Sequence, residues 1–154
     1  TQDNLTNTQR FKNISATLNN LLELGTIPVI NENDTVATEE IKFGDNDTLA
    51  ALVANLLGAE KLIILTDQKG VFDDDPRNNA AANLIDTIHF DDEKLERVAG
   101  KTAGSLGSGG MYSKVMAAKQ AAKSKTSTSI AWGREDNVLL RIYQGEHIGT
   151  IIHC

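Results

Sequence analysis

The sequence predicts an α/β fold: parallel strands packed with helices, in one domain that is not given whole. Three observations carry this expectation. Short apolar runs rich in β-branched residues, Ile27-Pro28-Val29-Ile30 and Leu62-Ile63-Ile64-Leu65, have the length and composition of strands buried on both faces. Around them, apolar residues recur at helical spacing. Polar clusters and a Gly/Ser loop stand where strands end and helices begin, which would gather them on the rim where open α/β sheets hold ligands.

The composition agrees with a packed domain. The 154 residues are 40% hydrophobic with only 2 Pro, enough for one core. Their 15 Lys+Arg against 21 Asp+Glu give a net charge of -6, which argues against a nucleic acid or an anionic membrane as the main partner. The one cysteine, Cys154, permits no intrachain disulfide, no apolar run approaches the roughly 20 residues of a membrane span, and the start resembles no signal peptide. A cytoplasmic protein is therefore expected. The chain opens at Thr1 on polar residues that lead straight into a helix pattern, so it reads as part of something longer.

The elements follow in order. Phe11, Ile14, Leu18, Leu21 and Leu22 mark an amphipathic helix that Gly25 stops. Ile27–Ile30 is the first buried strand, ending at Asn31-Glu32-Asn33-Asp34. Leu49, Leu52, Val53, Leu56 and Leu57 give a second helix, capped by Asp45 or Asp47 and ended by Gly58. Lys61–Thr66 is the next strand, completing a strand-helix-strand unit with a right-handed crossover. A loop runs from Asp67 to Arg77, then a short edge strand over Leu84–Ile88 and a surface helix over Asp91–Ala99 with Asp91 or Asp92 as its cap. The Gly/Ser-rich loop from Gly100 to Gly110 enters a helix from Met111 to Lys123. Ser129–Trp132 and Ile148–Ile152 read as strands, with a helical turn over Asn137–Ile142 between them.

Three stretches could hold chemistry. The loop Ser105 to Lys114 sets glycine amides at a helix N-terminus with a lysine one turn inside, an arrangement that cradles phosphate oxygens. It is no Walker A loop, and a mobile connector is the bland alternative; a lysine in the first turn favours a bound anion, because a cation there is otherwise disfavoured. Thr66, Asp67 and Lys69 leave the carboxyl end of a strand and suit ligand contact, whereas Asp73, Asp74 and Asp75 read as a solvated acidic turn stopped by Pro76. In Gly44-Asp45-Asn46-Asp47, capping needs only one side chain; Asp45 and Asn46 suit an amino-acid-like ligand, Asp47 could hold lysines, and Asn31 and Asp34 follow the same logic. The three histidines lack metal-ligand spacing.

Taken together, I-P-V-I-N-E-N-D, F-G-D-N-D-x-L-A-A-L-V-A, L-T-D-Q-K-G-V-F-x-x-D-P-R and G-S-G-G-M-x-S-K, in this order, resemble the amino acid kinase family in its glutamate 5-kinase branch. The resemblance covers Thr1 to Cys154, implies an open, mainly parallel sheet sandwiched between helices with its N-terminal part missing, and makes the chain the C-terminal, nucleotide-binding portion of one amino acid kinase domain. It implies ATP-dependent phosphorylation of the γ-carboxylate of L-glutamate, the first step of proline biosynthesis, with Mg²⁺ as cofactor, proline as feedback inhibitor and a homo-oligomer. By motif, Asn31, Asp34, Asp45 and Asn46 would hold glutamate, and Asp47 would organise the catalytic lysines. Thr66 and Asp67 would contact the nucleotide, the loop Ser108, Gly109, Gly110, Met111, Tyr112, Ser113 and Lys114 would close over ATP, and Lys114 would stabilise the transferring phosphoryl group. Family members begin with a strand bearing a phosphate-binding lysine, absent here, and some append an RNA-modification-type domain. The alternatives are another amino acid kinase or a catalytically silent nucleotide- or amino-acid-binding fragment.

Overall fold

The computed structural model describes residues 2–31, 46–102 and 110–154. Its helices are α1 (Gln2–Glu23), α2 (Asn46–Leu57), α3 (Glu93–Thr102), α4 (Met111–Ala122) and α5 (Val138–Tyr143), and its strands β1 (Lys61–Thr66), β2 (Thr87–His89), β3 (Ser127–Trp132) and β4 (Thr150–His153). The strands form a four-stranded sheet in the order β1-β3-β4-β2. The pairs β1/β3 and β2/β4 are parallel and β3/β4 antiparallel, so the sheet is mainly parallel as expected.

The alternation of β3 explains its central place. Thr128 and Ile130 face one layer and Ser129 and Ala131 the other, and all four are buried. On one side Ile64, Ile130, Ile88 and Ile152 pack under Ala51 of α2, Leu95 and Val98 of α3, and Val115, Ala118 and Ala121 of α4. Alanines on α4 let the helix lie close to the strands. On the other side Ala131 meets Val138 and Ile142 of α5, with Ile63 and Ile148 beside them.

Helix α1 lies on α2 through Leu18 and through Ser15, whose hydroxyl donates to the Leu56 carbonyl at 3.2 Å. It stops as the sequence predicts: Gly25 takes φ +73° and Thr26 N–H closes back on Leu21 O at 3.1 Å.

Several expectations are corrected. Ile27–Ile30 is not a strand: it is irregular, with Ile27 89% and Val29 95% exposed. A strand needs a ladder partner and a facing layer, this run has neither among the described residues, and Pro28 offers no N–H. Among the described residues, the strand-helix-strand crossover into β1 is thus absent. The edge strand sits at Thr87–His89, not Leu84–Ile88; Leu84 instead makes an isolated antiparallel bridge with Phe72. Asp92 caps α3 by accepting from Lys94 N–H at 2.8 Å, and the helix runs through Gly100 to Thr102. Far from lying loosely on the surface, α3 buries Leu95 and Val98 completely or nearly so.

Candidate active site

Topology decides which side chains meet. Helices α2 and α4 each precede a strand and pack against it, so each runs back along the sheet with its N-terminus at the carboxyl rim. The first turn of α2 holds Asp47, and that of α4 holds Ser113 and Lys114.

Sixty-seven residues apart in sequence, Lys114 Nζ and Asp47 Oδ2 lie 3.0 Å apart, with side chains only 11% and 14% exposed. Ser113 Oγ lies 2.9 Å from the same carboxylate oxygen and 2.8 Å from Gly110 O. The anion that stabilises a lysine at this helix start is therefore present within the chain. The sequence argument that the lysine demands a bound anion is corrected: Asp47 meets that need.

What Asp47 leaves open is the end of α4 itself. Gly110 occupies the N-cap with no side-chain hydrogen bond to the helix, and the first turn has no acidic residue. Among the described residues its first N–H groups therefore have neither of the usual partners at that end, a capping side chain or an acidic residue in the turn, and they stand beside a nearly buried ammonium. Met111 is half-buried against the core, and Tyr112 is 46% exposed.

Two smaller pairs share the rim. Asn46 Nδ2 reaches Asn31 Oδ1 at 3.5 Å, joining the helix start to the segment after Ile30. Thr66 closes β1, its hydroxyl donating to Asp67 Oδ1 at 3.3 Å, and its carbonyl accepts from Gly133 N–H at 2.8 Å. The structure thus unites Asp47, Ser113 and Lys114, pairs Asn31 with Asn46, and pairs Thr66 with Asp67. Asp34, Asp45, Ser108 and Gly109 lie outside the described residues.

The acidic turn differs from its reading as solvated. Asp75 is 7% exposed and holds Arg77 by both carboxylate oxygens at 3.0 Å, by its backbone N–H at 3.0 Å, and Asn78 Nδ2 at 3.0 Å. Hydrogen bonds from Arg77 hold the Asp75 carboxyl below the usual carboxylate range, and Asp75 first, then more weakly Asp67, raises Arg77. The charge of the rim residue Asp67 thus also bears on Arg77, which D-P-R alone did not indicate. Because the folded value of Asp75 is depressed, its contribution to stability is complete above the unfolded carboxylate value of about 3.9 and is lost as pH falls through the folded value. In Asp75→Asn we expect a lower unfolding midpoint than wild type at pH 7 and a gap that narrows below about pH 4; a gap independent of pH would refute the ionic origin.

An open mixed sheet with helix N-termini and a shielded ion pair at the carboxyl ends of its parallel strands defines an α/β protein whose polar cluster gathers on that rim. The amino acid kinase family model matches residues 1–131, and the chain belongs to that family. It is 57% identical over 152 residues to glutamate 5-kinase of Hydrogenovibrio crunogenus, covering 99% of this chain and 40% of that protein. Glutamate 5-kinase of Delftia acidovorans is 55% identical with the same coverage. The chain thus spans about two fifths of the length of these curated relatives. The crystal structure of UMP kinase from Bacillus anthracis shares the fold with a TM-score of 0.66 at 18% identity, over 90% of this chain and 50% of that one. Carbamate kinase from Giardia lamblia bound to AMP-PNP does so with a TM-score of 0.53 at 21% identity, over 71% and 32%.

Proposed function

We propose that residues 1–154 are the C-terminal, nucleotide-binding portion of one amino acid kinase domain, and that the protein phosphorylates the γ-carboxylate of L-glutamate with ATP. The observation that supports this most is the Lys114–Asp47 pair at the mouth of an uncapped helix, in a chain 57% identical to a glutamate 5-kinase.

In this reading a γ-carboxylate oxygen of glutamate attacks the γ-phosphorus, the bond to the β-γ bridging oxygen breaks, and ADP leaves with that electron pair. The product is an acyl phosphate. Glutamate is already ionised at neutral pH, so the step needs no general base, only alignment and charge neutralisation. Lys114 supplies the neutralising charge, Asp47 and Ser113 fix its position, and the first-turn amides of α4 from Met111 to Ser113 receive phosphate oxygens. Thr66 and Asp67 face the nucleotide, with Ser108, Gly109 and Gly110 completing its loop. Asn31, Asp34, Asp45 and Asn46 bind the ammonium and carboxylate of glutamate. When bound with the nucleotide, Mg²⁺ would supply further charge neutralisation beside Lys114. Proline, as the product of the pathway that this step opens, competes for the glutamate frame, and the protein works in the cytoplasm as a homo-oligomer. No helix among the described residues is long and apolar enough to cross a membrane.

The test is ADP release by the full-length protein with glutamate, aspartate and N-acetylglutamate. Turnover of glutamate should exceed the others by roughly 10²-fold or more, with an apparent glutamate KM that rises with proline. Equal turnover of aspartate or N-acetylglutamate would remove the substrate assignment.

A further inference from the structure

Thr150 opens β4 and is wholly buried. Its hydroxyl accepts from Val71 N–H at 2.8 Å and donates to Ile85 O at 2.6 Å, two points that lie 79 and 65 residues away in sequence. Those points are the base of the loop that leaves β1. Ile85 N–H bonds Val71 O at 2.8 Å, Phe72 bridges Leu84, Asp73 N–H bonds Asn83 O at 3.0 Å, and Ile151 N–H bonds Asp86 O at 2.8 Å. Gly70 completes the fit: at φ +153° its missing Cβ would stand 2.7 Å from Thr150 Oγ1 and 3.0 Å from Thr150 N.

The span from Asp67 to Gly70 is consequently fixed at both ends. Thr66 is held in the β1/β3 ladder and by Gly133 N–H, and Val71 is held by the Thr150 hydroxyl. So short a stretch between two anchors has few conformations. We infer that Thr150 is a positioning residue for the nucleotide: by clamping the base of the loop, it sets where Asp67 stands on the rim. The inference rests on the ATP reading above. It concerns a residue outside the matched 1–131 stretch.

The test compares Thr150→Val, which keeps the shape without the hydroxyl, with Thr150→Ser, which keeps the hydroxyl, in the full-length protein. ATP affinity, both KM values, kcat, and hydrogen exchange over residues 67–86 with and without ATP are measured. In Thr150→Val we expect ATP to bind roughly tenfold more weakly, faster exchange at Val71, and glutamate KM and kcat within about twofold. Thr150→Ser should behave as wild type. Should Thr150→Val fail to fold, Thr150→Ala removes the same hydroxyl and is read the same way. Unchanged ATP affinity despite faster exchange at Val71, an equal rise in both KM values, or a serine variant as impaired as the valine one would each overturn the inference. If ATP slows exchange in the loop but glutamate is not turned over, only the substrate assignment falls, and ATP affinity still decides the role of Thr150. If ATP leaves wild-type exchange unchanged, the nucleotide reading and this inference fall together.

Discussion

Replacing Lys114 with Met should lower kcat of the full-length protein about 10² to 10³-fold, the effect of removing one preorganised charge from a transferring group. The methionine stem fills most of the lysine volume, so packing against the buried face of α4 survives. What is lost is the ammonium 3.0 Å from Asp47. Activity alone cannot separate a catalytic loss from a structural one, because the change also strands a nearly buried carboxylate, and breaking such a pair costs up to about 3–5 kcal/mol. The double variant Lys114→Met/Asp47→Asn resolves this. Removing both charges should recover much of the stability and none of the turnover. Recovery of kcat in the double variant would mean that Lys114 acts only through folding, and a changed ATP KM with normal kcat would make it a binding residue. Asp47→Asn alone should lower kcat in the same direction and less steeply, since the ammonium remains and Ser113 Oγ can still bond the side chain at position 47 beside it.

The second large effect is expected at Gly149, and it concerns stability. Gly149 has φ +74°, and a Cβ built on it would lie 2.1 Å from Ile130 O and 2.9 Å from Ala131 Cα. Both obstacles are backbone of the central strand, which no side-chain rotation can relieve. Gly149→Ala should therefore cost about 3–5 kcal/mol, lowering Tm by roughly 10 °C in a chain of this size. Gly25 and Gly58 supply the control: their φ values are +73° and +59°, but nothing lies within 4 Å of an added Cβ. Alanine at either should cost about 1 kcal/mol, the conformational part alone. Thermal unfolding of the three variants measures the difference; a Gly149→Ala loss no larger than the controls would show that β4 shifts away from β3 without penalty.

Much of the fold was legible because burial imposes periodicity. Leu52, Val53 and Leu56 mark α2, and the aliphatic run of Leu62 to Leu65 marks β1. The same signal failed at Ile27–Ile30, since consecutive apolar residues announce a need for cover without naming what provides it. Strand order was equally hidden: nothing in I-G-T-I-I says that β4 runs antiparallel to β3 while parallel to β2. At the rim, residue types at strand and helix ends indicated the participants, whereas the 3.0 Å meeting of Lys114 with Asp47 depends on two helices packing side by side. Thr150 carried no signal of its own, because one hydroxyl in an apolar strand reads as ordinary β-propensity. The only hint was the glycine before it.

The place of β4 between β3 and β2 also imposes a timetable on the chain as it is made. Among the described residues, strand β2 has no ladder neighbour except β4, which follows it by about sixty residues. At bacterial or eukaryotic elongation speeds of about 5–20 residues per second, β2 waits roughly 3 to 12 s for its partner to emerge. Late in that interval β3 emerges, pairs in parallel with β1 under α4, and offers an edge that β4 then fills. The strand that closes the sheet is thus made after the other three, and its hydroxyl at Thr150 gathers in the loop that has hung from β1 through that wait.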